Sequence, residues 1–392
     1  MPRSAAADTR LGALLALLVL AVNVLSVSSR LGFVHKARQV KEYDHWRYIH
    51  MARGEDGRPA LQQEPPYCFR LAVPAAVRGL AGLGIPVDVG FYALTNAALF
   101  GFLLLLWLHL RDLGFPVALR ATGLLVVGFT QGAVRWFEYQ YWMTDPAGLL
   151  LTMLAVFLIE RRRSIALGAA SVLAATVRET CVLVFPYYAL HLLRRGRSAW
   201  AAAWRAAAVA LPALAVLVAI RLLVTPNQPA GFASGIADSL GFRWRHVLDN
   251  QLYVLTVGSF GVLFPLALLF PLRLPALLRR HYDRAFFVLS VYASLAISNN
   301  TERPLAYALP ALVPAALWAL RAFLEESRLR AGPVLVAVVV LQALFWWNHR
   351  WAQMGMSIYQ PVNWVTVGAM AASWLIAQVA LARGRRSEVG SS

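Results

Sequence analysis

Apolar runs approaching the length of a bilayer crossing recur from one end of this chain to the other, and no polar interval between them is long enough for a soluble domain. A chain surrounded by hydrocarbon must satisfy its backbone N–H and C=O groups internally, so runs of this kind fold as helices. Hydrophobic residues make up 59% of the 392 residues and charged residues 14%, a balance that soluble globular domains rarely have. The expectation is an all-α polytopic membrane protein, a single transmembrane domain over 1–392 without a separate soluble domain. The hydrophobic pattern predicts helices near 11–29, 87–110, 116–134, 146–159, 164–178, 181–193, 206–224, 251–272, 285–298, 304–320, 332–347 and 361–382, which makes about twelve spans.

A net charge of +18 is compatible with nucleic acid or anionic lipid, but its distribution argues for topology. With the N-terminus inside, the intracellular ends and loops carry 21 Arg, while the outer loops beyond the first carry six: Arg135, Arg178, Arg243, Arg245, Arg303 and Arg350. That is the positive-inside bias, so no nucleic-acid partner is expected and both termini are placed in the cytoplasm of a cell inner membrane or plasma membrane. Arg3 and Arg10 before the first apolar run also suit a secretory signal, but the core from Leu11 to Val27 is longer than a signal core, which favours an uncleaved anchor.

Two outer loops stand out. The loop 30–86 is expected to hold short helices at 40–52 and, after Pro65-Pro66, at 71–83, amphipathic enough to lie along the membrane. The loop 225–250 has the Pro and Gly content of a lid. The aromatic run from Trp136 to Trp142 reads as an interfacial belt. The fourth to sixth spans are short: helices of about 14 or 15 residues reach only about 21–22 Å, so they are expected to surround a water-filled or headgroup cavity rather than cross alone.

Acids are few in such a chain, and where they gather is where chemistry or transport is expected. Glu42-Tyr43-Asp44 places two carboxylates in the first outer loop. Two residues apart on a helix they would diverge by about 200°, so they serve one ligand only in an extended segment or at a helix start. Asp44 before His45-Trp46-Arg47 also suits a helix N-cap, and Asp145-Pro146 has the same cap pattern. Arg178-Glu179 and Glu302-Arg303 can pair within themselves or with other charges, and Arg70 can anchor at the headgroup level. Glu42, Asp44 and Asp145 are the carboxylates able to offer oxygens to Mg²⁺ or Mn²⁺. Cys68 and Cys181 fall on the same predicted side, where a disulfide is permitted, although isolated cysteines read first as packing residues. Asn299-Asn300-Thr301 matches a glycosylation sequon, a pattern with weight only in a eukaryotic secretory setting.

The order of these features resembles the GT-C superfamily of integral-membrane glycosyltransferases. The resemblance runs through Glu42-Tyr43-Asp44, then Pro66-Tyr67-Cys68-Phe69-Arg70 with Pro74, Thr144-Asp145-Pro146, Arg178-Glu179-Thr180 with Pro186, and Glu302-Arg303-Pro304 with Pro310. It implies an extracytoplasmic active site in which Asp44, assisted by Glu42, accepts the proton of an attacking hydroxyl. Arg70, Arg178 and Arg303 would hold the phosphate of a polyprenyl-phosphate sugar donor. Tyr48 and Tyr67 would offer rings and hydroxyls to the sugar, and Asp145, Glu179 and Glu302 would belong to the same binding site. Larger members carry a C-terminal soluble domain that has no counterpart here, which favours a lipid-linked or glycan acceptor over a polypeptide.

The rival class is a transporter or lipid flippase, for which an acid-lined cavity with arginine partners is equally natural. Arg221 and Asn96, placed inside spans, suit that reading; the clustering of acids at the outer ends of spans, and halves that differ, suit the transferase.

Overall fold

The structure is a computed structural model that describes residues 5–39, 45–54, 66–224, 240–241, 244–245, 253–297, 302–348 and 361–389. Glu42, Asp44, the sequon, and all but four residues of the 225–250 loop lie outside the described residues. Every regular element described is helical, as the apolar runs require.

The span count differs from the sequence expectation. Four described helices are long and apolar enough to cross a membrane: Ala5–Leu31, Val87–Asp112, Ala199–Leu223 and Arg303–Ser327. A fifth candidate is the pair Val117–Gly128 and Gly132–Tyr139, bent by 42°. About twelve spans are therefore not found among the described residues. The helices used below are α1 (Ala5–Leu31), α2 (His45–Arg53), α3 (Ala72–Gly82), α4 (Val87–Asp112), α5 (Val117–Gly128), α6 (Trp136–Tyr139), α7 (Asp145–Glu160), α8 (Ser164–Val177), α9 (Val184–Arg194) and α10 (Ala199–Leu223). They continue as α11 (Leu263–Ala267), α12 (Leu274–Arg280), α13 (Tyr282–Ser294), α14 (Glu302–Leu305), α15 (Leu309–Ser327), α16 (Ala331–Asn348) and α17 (Pro361–Val389).

The missing length has a local cause. The run expected at 116–134 breaks after Gly128 into a π-helical turn, Gln131–Arg135, before α6. The run near 251–272 breaks into a π-helical turn, Val254–Gly258, and α11. A broken helix frees backbone groups that hydrocarbon cannot solvate, so side chains must satisfy them. Gln342 of α16 serves both breaks: its Nε2 donates to the Phe129 carbonyl at 2.7 Å and its Oε1 accepts from the Val262 N–H at 2.8 Å. Gly261 has φ +56°, and a Cβ there would overlap that amide. At the first break, Asn23 of α1 donates to the Gly128 carbonyl at 2.9 Å.

α7 is apolar around its whole circumference and almost wholly buried, as expected of a helix surrounded by protein rather than lipid. It packs against α4 and α8. The short helices predicted in the first loop are present as α2 and α3.

The aromatic run does not form an interfacial belt. Trp136, Phe137, Tyr139, Tyr141 and Trp142 are all buried. The reason is a dock for the first loop: the His35 ring bonds the Tyr139 carbonyl at 3.0 Å, Tyr141 donates to the His35 carbonyl, and the His45 ring lies 5.3 Å from that of Trp142. Trp142 is fixed in turn by its indole N–H donating to Asp88 at 2.7 Å. Thus the loop that carries the first acids is pinned to the turn that leads into α7.

Candidate functional site

The site is built where α7 begins. Thr144, the residue before α7, has helical φ and ψ of −82° and −11°, and no side chain caps the helix. Asp145 is therefore not the N-cap that its sequence suggests. Its fully buried carboxylate is turned to Arg178, with Nη1 2.6 Å from Oδ2, and to Arg303, with Nη1 3.7 Å from the same oxygen. Among the described residues, the Asp145 Oδ1 atom is buried without a hydrogen-bond partner. Arg303 also reaches the Met143 sulfur at 3.8 Å, and Tyr307 donates to the Asp145 carbonyl at 3.3 Å.

Arg178 closes α8 in an extended conformation, φ −161° and ψ 132°, before the tight turn Glu179–Leu183. That break sends neighbouring side chains to different partners. While Arg178 goes to Asp145, Glu179 receives a two-pronged contact from Arg70, Nη2 to Oε1 at 2.6 Å and Nε to Oε2 at 3.1 Å. Arg70 Nη1 donates to the Tyr48 hydroxyl at 2.9 Å, which ties α2 to the same network. Tyr48 meets Tyr67 edge to face at 5.9 Å. Arg70 lies 5.7 Å and Arg47 4.6 Å from the centre of the Tyr67 ring, both within cation–π reach.

Seven of the residues singled out from sequence thus converge: Tyr48, Tyr67, Arg70, Asp145, Arg178, Glu179 and Arg303. The pairing within Arg178-Glu179 suggested by adjacency is replaced by two crossed pairs, Arg178 with Asp145 and Glu179 with Arg70. Glu302 opens α14 and its side chain lies outside the described residues, as do Glu42 and Asp44. The three guanidiniums exceed the two carboxylates by one charge. Burial alone would raise the Glu179 carboxyl, but the Arg70 guanidinium outweighs it and holds the group at about 2.

Asp145 is the one of the three candidate metal carboxylates that the structure describes, and it is turned to two cations. No group of three His, Cys, Asp or Glu side chains suited to a metal occurs among the described residues. Cys68 and Cys181 are separate buried thiols, consistent with packing. Burial pushes the Cys68 thiol up to about 11, so it is a poor nucleophile.

Three contributors were not legible beforehand. Tyr307 was an ordinary aromatic within an apolar run, Arg47 one of many loop arginines, and Arg221 was assigned to the interior of a span. Arg221 stands in the last turn of α10, itself a candidate span, with its guanidinium 4.0 Å from the centre of the Phe69 ring, one residue from Arg70. The only signal in the sequence was that Tyr67 and Phe69 stand close to Arg70 just after Pro65-Pro66.

No protein-family model matches the chain, and no curated protein matches it.

Proposed function

We propose that this protein is an integral-membrane glycosyltransferase of the GT-C type, moving a sugar from a polyprenyl-phosphate donor to a lipid-linked or glycan acceptor on the extracytoplasmic face. The observation that carries the reading is the buried convergence of Arg70, Arg178 and Arg303 on Asp145 and Glu179 at one end of α7. α2, which contributes Tyr48, begins one residue after Asp44.

The chemistry follows from charge. The acceptor hydroxyl attacks the anomeric carbon, the bond from that carbon to the phosphate oxygen breaks, and polyprenyl phosphate leaves with the electron pair. A phosphate leaving group needs its charge neutralised more than it needs a proton. The arginine excess supplies that neutralisation, since guanidinium forks match phosphate oxygens. The hydroxyl proton passes to Asp44, with Glu42 assisting. Buried ion pairs keep the arginines fixed before the donor arrives, which lowers the cost of ordering them on binding.

Transfer of radiolabelled sugar from a panel of polyprenyl-phosphate donors, in membranes expressing the wild type, Asp44→Asn or Glu42→Gln, tests the reading. Transfer should require Asp44 and fall by about 100-fold or more in its absence, the usual weight of a general base. Unchanged transfer by abundant Asp44→Asn protein would remove Asp44 as the base. Arg303→Ala should chiefly weaken donor binding, seen as a raised KM for the donor.

A transporter or flippase is the second reading, and one observation favours it. Charged groups stand at both ends of α7, the fully buried Asp145 at one and the half-buried Glu160 at the other, about 22 Å apart along the axis. Glu160 is held by Arg284 at 2.7 Å and by the Tyr187 hydroxyl at 3.3 Å, beside a second group in which Asp283 meets His191 at 3.0 Å and Arg194 at 2.8 Å. Movement of a labelled lipid across proteoliposomes without sugar transfer would put this reading first.

A further inference from the structure

α7, α9 and α13 bring charges together at the end of the bundle away from Asp145: Glu160 meets Arg195 at 3.5 Å and Arg284 at 2.7 Å, and Asp283 meets Arg194 at 2.8 Å. The turns from α7 to α8 and from α9 to α10 therefore lie at this end, and α8 and α10, which start there, pack side by side. Arginines crowd the two turns. Arg161 is spent on Asp112, Arg194 on Asp283 and Arg195 on Glu160. Arg162, Arg163, Arg197 and Arg205 are exposed and meet no acid among the described residues. The chain offers them none nearby either: the single acid between Glu160 and Arg205 is Glu179, which belongs to the candidate site at the other end.

Two tryptophans stand among these arginines. Trp200 is 79% exposed and Trp204 65%, about one turn apart at the start of α10. At about 100° per residue they open a stripe that continues through Leu211, Leu214, Val218 and Leu222, all exposed and all within about 80° of arc. α10 is long and apolar enough to span a bilayer, so the stripe faces hydrocarbon and the tryptophans lie at its edge. Trp204 is only about 8 Å along the axis from the helix start, roughly the depth of a headgroup layer, where indoles are favoured. Arginines around indoles at that depth face lipid phosphates, and four of them without an acid favour anionic lipid over zwitterionic. An acidic soluble protein would answer the arginines but not the tryptophans, which continue the hydrocarbon-facing stripe.

We propose that the edge formed by the starts of α8 and α10 is a binding surface for anionic phospholipid in the leaflet at that end of the bundle. Trp200 and Trp204 sit at headgroup depth, and Arg162, Arg163, Arg197 and Arg205 hold the phosphates of the anionic lipids gathered around them. The inference rests on the reading of the apolar helices as membrane-spanning and not on the transferase reading; a protein without transfer activity that gathers anionic lipid here leaves it standing.

Fluorescence quenching in proteoliposomes of the full-length protein tests it. The bilayer holds phosphatidylglycerol and phosphatidylcholine in one fixed ratio, with bromine on the acyl chains of either one lipid or the other. The difference between the wild type and the Trp200→Phe, Trp204→Phe double variant isolates the two indoles. Brominated phosphatidylglycerol should quench that difference more strongly, with a relative affinity over phosphatidylcholine of about fivefold for each arginine engaged. The variant with Arg162, Arg163, Arg197 and Arg205 all changed to Gln should bring the ratio to about one, and these residues are exposed, so the core is spared. Equal quenching by the two lipids in the wild type overturns the proposal and leaves the arginines to water or to an acidic protein. Quenching by neither lipid overturns it too, since the indoles are then outside the bilayer. So does an unchanged preference in the fourfold variant. Should that variant fail to fold, about 1 M NaCl on the wild type decides: a preference that survives such screening overturns the proposal.

Discussion

Glu179 holds one arm of the candidate site by giving both carboxylate oxygens to Arg70. The Arg70 side chain is 7% exposed and the Glu179 side chain 27%, so the pair is shielded from water but not sealed from it. Removing the acid strands a nearly buried guanidinium, and Glu179→Ala should cost about 2–3 kcal/mol, less than for a fully buried pair. Thermal unfolding of Glu179→Ala, Arg70→Ala and the double variant measures it: the double variant should be less destabilised than the sum of the singles. The pair also sets a pH window. The carboxyl sits at about 2 in the folded protein against its ordinary 4.5. Its contribution is then fully present above pH 4.5 and is lost as pH falls from there through 2. An unfolding midpoint that falls with acid across that window in the wild type but not in Glu179→Gln is the expected result.

Close approach of elements, rather than any one contact, fixes the other arm. α7 can meet the turn before α15 because residue 148 is glycine: a Cβ there would overlap the Tyr307 hydroxyl and touch the Arg178 Cβ at 3.5 Å. Gly148→Ala should therefore displace Tyr307 and cost about 1–3 kcal/mol, as overpacking does. Adding Tyr307→Phe, which deletes the overlapping oxygen, should restore most of the loss, and thermal stability of the single and double variants checks it. α2, α3 and the short α7, α8 and α9 were legible because amphipathic spacing, prolines and polar junctions mark them. The breaks after Gly128 and near Gly261 were not, because the residues there are as apolar as their neighbours and what permits the break is Gln342, distant in sequence. The aromatic run was misread for a related reason: rings in an interfacial belt and rings under a docked loop have the same composition, and only the position of His35 distinguishes them.

At the scale of the molecule, the arrangement places the Asp145 end and the Glu160 end of α7 on opposite sides of the bundle. The proposed topology then makes a simple demand. Leu83, exposed between α3 and α4, should lie outside, and Arg163, exposed after α7, inside. Leu83→Cys and Arg163→Cys should react from opposite sides with an impermeant maleimide in intact cells, against a low background because both native cysteines are buried. Labelling of both from one side would overturn it. The sequence by itself determined that the chain is helical and apolar enough for a membrane, because backbone satisfaction in hydrocarbon leaves no alternative and composition declares the solvent. It also determined which rare charges stand out, since each is costly in that solvent. Only the tertiary structure decided which charge meets which. Arg178 and Glu179 are adjacent in the chain, yet a break after α8 turns one to Asp145 and the other to Arg70. Pairing among buried ions depends on the directions in which separate helices deliver them, and those directions come from packing across the whole bundle.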